Sequence, residues 1–279
     1  MSFEDKFETL KNILREMGGV VIGYSGGVDS TFLLKTAVEV INDNALGVIA
    51  RSATYPEHEY KEAVELAREM GARIRVIQTE EDKNPKFTEN PVNRCYFCKS
   101  ELFSKLKIIA QEEDIPFIAD GSNIDDIGDF RPGLNAVNEF SVRSPLKEAG
   151  LNKNEIRELS KRLGLKTHDK PSFACLSSRF PYGMSITPDN LSKVDRAESY
   201  LRELGFKAVR VRHYEHTARI EFGANELERV TELSFREKIV RKFKQIGYIY
   251  VTVDLEGFRS GSMNEILSEN EKQINKQES

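Results

Sequence analysis

The stretch of the chain richest in chemistry is Gly23-Tyr24-Ser25-Gly26-Gly27-Val28-Asp29-Ser30, directly after the apolar run Val20-Val21-Ile22. It reads as a short buried strand that enters a glycine-rich turn, with an apolar helix beginning at once. Gly26 and Gly27 can take positive φ without a Cβ clash, so consecutive backbone N–H groups can converge on one anion. The helix adds its unpaired N-terminal donors and its positive dipole end. Ser25 and Ser30 supply hydroxyl donors, and Asp29 can hold Mg²⁺ beside phosphate oxygens. The loop is expected to bind a phosphate or pyrophosphate. It is not a Walker A loop, because no Gly-Lys-Ser/Thr follows at the required spacing. Nor do its glycines fit the dinucleotide pattern G-x-G-x-x-G.

The second constellation is made of thiols. Cys95-Tyr96-Phe97-Cys98 is expected just before a helix, and Cys175 follows much later within Lys170-Pro171-Ser172-Phe173-Ala174-Cys175-Leu176-Ser177-Ser178-Arg179. Three cysteines, an odd number, argue against a disulfide framework. A lone C-x-x-C can be a redox pair, although the surrounding pattern is not that of thioredoxin. Zinc would want a fourth ligand, such as His168 or a water. A [4Fe–4S] cluster on three thiolates would keep one iron open to an external sulfide or substrate. The alternative is three unrelated buried cysteines. Both segments are rich in Arg, Lys, Ser and Pro and poor in core pattern, which places the cluster first.

These residues need a scaffold, and the hydrophobic pattern supplies one. Phe3, Phe7, Leu10, Ile13 and Leu14 fall at helical spacing over 3–17. Strands are expected at 19–23, 45–50, 73–78 and 116–121, with helices over 29–41, 57–70 (after Pro56) and 97–113. Strands alternating with helices of this length imply βαβ units and a parallel sheet covered on both faces. Ligands in such sheets bind beyond the carboxyl ends of the strands, where the loop after the first strand lies. After about residue 180 the pattern changes to helix 187–204, strands 208–213 and 217–222, helix 225–245 and strand 248–253. This reads as a smaller α+β domain over 181–260, following a nucleotide-binding domain over 1–180. A polar tail from 261 to 279 is expected to be a frayed extension.

The chain has 279 residues, 39% hydrophobic and 31% charged, as a soluble globular protein has. Its 41 basic and 45 acidic residues give a net charge of −4, with no global pull toward nucleic acid. No apolar run approaches the roughly 20 residues of a membrane span. The N-terminus lacks a signal-peptide core, so a cytoplasmic protein is expected. Exposed Tyr and Phe residues and the C-terminal segment are expected to mediate homo-oligomer assembly.

Ser25–Ser30 resembles the PP-loop of the ATP pyrophosphatases, which cleave ATP to AMP and pyrophosphate and activate a substrate by adenylation. Further marks are Asn93-Arg94-Cys95-Tyr96-x-Cys98-Lys99, Asp120-Gly121-Ser122-Asn123-x-Asp125-Asp126, Arg131-Pro132-Gly133, Ser144-Pro145-Leu146, Lys170-Pro171-Ser172-x-Ala174-Cys175 and Arg210-x-Arg212-His213. Jointly, over residues 10–258, they resemble the LarE family, ATP-dependent sulfur transferases that make the thiocarboxylates of the nickel-pincer nucleotide cofactor. The resemblance implies an α/β fold of the adenine nucleotide alpha hydrolase type, with ATP and Mg²⁺. It places Ser25, Gly26, Gly27, Asp29, Ser30, Ser52, Lys99, Gly121, Asp126 and Arg131 around the nucleotide.

The resemblance also implies sulfur chemistry at Cys175. Some members have only that cysteine and give up its own sulfur, leaving dehydroalanine. Others add the C-x-x-C pair and bind a [4Fe–4S] cluster through three cysteines. This chain has Cys95, Cys98 and Cys175, so the cluster type is implied, with a sulfide on the open iron as the delivered atom and its source unassigned. The implied substrate is pyridinium-3,5-biscarboxylic acid mononucleotide. Arg179, Arg210, Arg212 and Arg219 are expected to meet its phosphate and second carboxylate through guanidinium forks, with Arg179 and Arg212 joining Cys175 as catalytic residues. Alternation puts 210 and 212 on one strand face, which a solvated strand would also show. Asp125 and Asp126 would fit an Asx turn equally well.

Other functions fit parts of the pattern. A tRNA thiolase also pairs a PP-loop with cysteines, but the near-neutral charge and lack of a basic, aromatic-rich module weigh against RNA. An amide-forming synthetase would leave the cysteines unexplained. A nucleotide-binding sensor would bind ATP without releasing pyrophosphate.

Overall fold

The computed structural model describes residues 2–127, 133–171, 174–259 and 261–268. In chain order the elements are α1 (Phe3–Met17), β1 (Val20–Gly23), α2 (Val28–Ile41), β2 (Ala45–Arg51), α3 (Glu57–Glu69), β3 (Arg73–Gln78), α4 (Pro85–Thr88), α5 (Arg94–Glu112) and β4 (Phe117–Ala119). They continue with α6 (Gly133–Glu139), α7 (Pro145–Glu148), α8 (Lys153–Arg162), α9 (Pro188–Glu203), β5 (Val209–Tyr214), β6 (Thr217–Phe222), α10 (Leu233–Ile246) and β7 (Tyr250–Val253). The described residues divide into two compact units, one of 2–81 and 93–171, the other of 82–92, 174–259 and 261–268.

The first unit is built on a parallel sheet of order β3-β2-β1-β4. Val20 pairs with Ala45 on one side and Phe117 on the other, so β1 is central. Its run Val20-Val21-Ile22 is apolar throughout because both faces are covered. Val20 and Ile22 pack with Leu10 and Leu14 of α1 and Phe32 and Leu33 of α2. Val21 faces the opposite layer, with Phe103 and Leu106 of α5. Each such side chain contributes about 1.5–3 kcal/mol by burial, which fixes the strand and hence the loop that follows it. The chain passes β1, β2, β3 in one direction and then returns to add β4 on the other side of β1. That reversal opens a crevice at the carboxyl ends of β1 and β4.

In the second unit β5 and β6 pair antiparallel, and β7 adds parallel to β6. Val209, Val211, Ile220 and Phe222 pack with Leu201 of α9 and Phe243 of α10. Segment 82–92 belongs to this unit through backbone pairing, with the Gly183 N–H on the Asn90 carbonyl at 2.9 Å and the Ile186 N–H on the Thr88 carbonyl at 2.8 Å. Thr187 caps α9 by accepting from the Asn190 N–H, and Pro188 opens it, as the sequence implies.

Some element boundaries differ from those expected. The C-x-x-C pair lies within the first turns of α5, not before it, because the helix starts at Arg94. The helix expected over 225–245 is interrupted, with 3₁₀ turns at Ala224–Glu226 and Glu228–Thr231 and α10 only from Leu233. The cause is tertiary: Arg229 donates to the carbonyls of Gly205 and Leu204, both at 3.1 Å, and stacks on Phe206. β4 ends at Ala119, whose outer side is bridged by Arg143, with the Arg143 N–H on the Ile118 carbonyl at 2.9 Å and the Asp120 N–H on the Arg143 carbonyl at 3.0 Å. The described part of the tail is not frayed: Ser262 and Leu267 are buried in the second unit. Among the described residues no helix is long and apolar enough to cross a membrane.

Candidate active site

The loop after β1 is closed on itself. The Ser25 N–H donates to Ser30 Oγ at 3.2 Å, and the two hydroxyls meet at 3.1 Å. The Gly27 N–H reaches Ser25 Oγ at 3.4 Å, and Ser30 Oγ donates to the Gly27 carbonyl at 3.3 Å. Gly26 has φ 63°, and a Cβ there would lie 2.7 Å from Ala63 Cβ, so both conformation and space demand glycine. Gly27 is extended and occupies the N-cap of α2 with no side-chain cap, leaving the first-turn donors to the cavity. Tyr55 ties the loop down from outside by donating to the Ser25 carbonyl at 2.9 Å. Burial pushes its phenol well above the usual range, so it stays a donor.

This loop borders a cavity of about 490 Å³ whose lining includes Ser25, Gly27, Asp29, Ser30, Lys99, Gly121, Asn123, Asp126 and Lys153. It sits in the crevice between the ends of β1 and β4. Gly121 is required there by approach: a Cβ would lie 3.1 Å from the Ser30 backbone nitrogen. Lys99, on α5, donates to Asp120 Oδ2 at 3.3 Å. Burial pushes the Asp120 carboxyl up, but Lys99 and the Ser122 and Ser144 hydroxyls outweigh it and hold it below the ordinary carboxylate range.

Asp29 points at a partner that sequence reading missed. Its carboxylate forms an ion pair with the ammonium of Lys153, the first residue of α8, and accepts from Asn123 Nδ2 at 3.4 Å. The Lys153 N–H is itself held by Asp125 Oδ2 at 2.9 Å. Asn123 Oδ1 accepts the Asp125 N–H at 2.9 Å, and Asp126 Oδ2 accepts the Asn123 N–H at 2.9 Å. The 123–126 segment is thus a turn stabilised by its own side chains, with Asp126 at the cavity wall.

Ser52 is not part of the cavity lining; its hydroxyl donates to Glu81 Oε1 at 2.6 Å beside Thr54. Arg131 lies outside the described residues.

In the second unit Cys175 caps a short 3₁₀ turn, Leu176–Arg179, and is half-buried. Arg179 is 1% exposed and its donors are taken. Nε and Nη2 bind Glu198 at 2.8 and 2.9 Å, while Nη1 reaches the carbonyls of Ala174 and Cys175 at 2.8 and 3.0 Å. Arg212 binds Glu221 at 2.8 and 2.7 Å and the Ser178 carbonyl at 2.7 Å. Both arginines therefore hold the backbone of the cysteine turn. Arg210 and Arg212 do share a strand face, and that face is buried, not solvated. Burial pushes the Arg210 guanidinium down to about 10, with Arg179 adding repulsion. Glu198, wholly buried, has a pKa of about 2; burial opposes its charge, but Arg179 first and then Arg210 and Arg202 prevail. Neither Glu198 nor Glu221 carries any mark in the sequence that sets it apart.

Cys95 and Cys98 lie one turn apart on α5, a spacing that puts both thiols on one helix face, the former exposed and the latter half-buried. Such a pair suits a thiolate-bound metal centre. Among the described residues no group of three His, Cys, Asp or Glu gathers closely enough to hold a metal ion. Cys175 belongs to the second unit, so a three-thiol ligand set rests on residue type.

The NAD synthase family model matches residues 3–94, the stretch that contains β1 and its loop. An uncharacterized protein of Synechocystis sp. is 43% identical over 265 residues, covering 95% of this chain and 99% of its own length. The pyridinium-3,5-bisthiocarboxylic acid mononucleotide synthase of Lactiplantibacillus plantarum is 38% identical over 264 residues, covering 94% of this chain and 95% of its own. The chain belongs to the LarE family. As a LarE-type protein it is an enzyme of the PP-loop, ATP-using class. An uncharacterized protein of Methanocaldococcus jannaschii, 31% identical over 263 residues, is similar over 93% of this chain.

Proposed function

We propose that this LarE-type enzyme adenylates a carboxylate of pyridinium-3,5-biscarboxylic acid mononucleotide and replaces the activated oxygen with sulfur. The observation that carries this reading is the cavity at the ends of β1 and β4. It brings the loop donors together with two ammonium groups, Lys99 and Lys153. A carboxylate oxygen attacks the α-phosphorus of ATP, and pyrophosphate leaves. The donors of Ser25, Gly27 and Ser30, with Lys99 and Lys153, offset the charge that develops on the leaving group. Asp29 would hold Mg²⁺, which would supply positive charge beside the phosphates, while Lys153 beside it adds a second cation. Sulfur then attacks the acyl carbon, and AMP leaves.

Cys95, Cys98 and Cys175 would hold a [4Fe–4S] cluster, which would supply an open iron position for the sulfur to be transferred. Arg179 and Arg212 position the Cys175 turn, and Arg210 or Arg219 contributes cationic contact for the substrate phosphate. Ser52 and Arg131 are assigned to the nucleotide by the family resemblance. Homo-oligomer assembly is supported by Ile249, Tyr250, Val253 and Leu255, exposed apolar residues on and beside β7, the edge of the second sheet.

The test supplies the pyridinium biscarboxylate nucleotide, ATP, Mg²⁺ and sulfide to anaerobically purified protein and follows products by mass spectrometry. Thiocarboxylate formation matched by AMP supports the reading. AMP formation with bulk tRNA as acceptor, and none with the nucleotide, would transfer it to the tRNA thiolases.

A further inference from the structure

Lys170 does not line the cavity, yet its ammonium donates to the Gly26 carbonyl at 3.3 Å. It also pairs with Glu59 at 2.7 Å and Glu62 at 2.9 Å, both on α3, and its side chain is only 12% exposed. The peptide joining Gly26 to Gly27 is trans, so its C=O and N–H point in opposite directions. With the carbonyl turned to Lys170, the Gly27 N–H is aimed the other way, toward the Ser25 hydroxyl that borders the cavity with it. A glycine at φ 63° is where such a peptide flips at least cost. A flip would present a carbonyl oxygen to the anion in place of an N–H donor.

We infer that Lys170 is a positioning residue that locks the Gly26–Gly27 peptide in its anion-binding orientation. Glu59 and Glu62 hold the ammonium in place. Glu59 remains ionised to about pH 2: burial opposes the charge, and His58 and Lys170 outweigh it. Arg157 seats the segment that carries the lock, donating to the His168 carbonyl at 2.6 Å and the Lys170 carbonyl at 2.7 Å. The loop is therefore set for pyrophosphate only when the 168–170 segment is seated. The inference rests on reading the loop as a pyrophosphate site.

The experiment titrates inorganic pyrophosphate with Mg²⁺ into the full-length protein by calorimetry, with melting curves alongside. The wild type binds. Lys170→Met weakens binding about tenfold or more, and Lys170→Arg restores most of the affinity, because a guanidinium can bridge the same carbonyl and carboxylates. Arg157→Met, which keeps the ammonium but loosens its segment, shows the same direction of change and serves if Lys170→Met does not fold. A folded Lys170→Met protein with wild-type affinity overturns the lock and leaves the loop's reading intact. A wild type that does not bind pyrophosphate overturns both.

Discussion

The carboxylate of Asp29, in the first turn of α2, is bound by the ammonium of Lys153, at the start of α8 and 124 positions away in sequence. Both side chains are about a quarter exposed, at 22% and 26%. A pair so placed contributes no more than about 1 kcal/mol to folding. Its value lies in keeping an acid and a base poised at the phosphate cavity. Asp29→Ala should leave the melting temperature nearly unchanged and lower pyrophosphate release at least about tenfold at fixed ATP. Lys153→Met should do the same through a raised KM for ATP. Wild-type release in the Asp29 variant would make its carboxylate structural only.

Gly26→Ala should be costly on two counts. The added methyl would meet Ala63 Cβ at 2.7 Å, and φ 63° is strained for any residue with a Cβ. We expect a loss of about 2–4 kcal/mol in denaturant unfolding, together with loss of pyrophosphate binding. A fully stable variant would mean that α3 yields more readily than its packing implies.

How much of this was legible follows from where the partners come from. The strand, loop and helix at 20–41 were readable because every requirement is local: apolar residues for a doubly covered strand, glycines for the turn, a helix behind it. Lys153 was not, since a lysine after an Asn cap looks like any surface lysine until the β1–β4 reversal brings Asp29 beside it. Arg179 and Arg212 were singled out by residue type, but as guanidinium forks for a ligand. Their carboxylate partners, Glu198 and Glu221, sit on α9 and β6 inside ordinary periodic patterns. The transfer of segment 82–92 to the second unit has no composition signal, because backbone pairing with 183 and 186 creates it.

The Arg179–Glu198 pair is wholly buried, so removing one partner strands the other charge. Glu198→Gln should destabilise the protein by about 3–5 kcal/mol. Thermal unfolding would check this, and a shift of only a degree or two would contradict it. Arg179→Lys should recover little, because a lysine cannot hold the carboxylate and the Ala174 and Cys175 carbonyls together.

His213 is buried on β5 with Nδ1 3.2 Å from the Tyr248 hydroxyl. Burial, reinforced by Lys193, pushes its pKa down from 6.5 to about 4. The unfolded chain therefore binds the extra proton between those values, and stability falls as pH drops from 6.5 to 4. The loss is at most about 3 kcal/mol. His213→Phe should flatten that part of the stability–pH curve, and an unchanged slope would assign it to another group.

Cys175→Ala should abolish sulfur transfer while leaving ATP binding unaffected. Iron and acid-labile sulfide in matched amounts after anaerobic reconstitution, reduced in Cys95→Ala and Cys175→Ala alike, would establish the three-thiol cluster. A colourless protein without either would turn attention to Cys175 as a sacrificial donor, tested by the loss of one sulfur from its mass after turnover.

The most direct measurement is isotope exchange between pyrophosphate and ATP, with and without the pyridinium biscarboxylate nucleotide. Adenylation of a carboxylate in the β1–β4 cavity predicts exchange that depends on the carboxylate substrate, survives Cys175→Ala and disappears in Asp29→Ala. Exchange absent with the nucleotide, or cleavage of ATP to ADP and orthophosphate, would contradict the account.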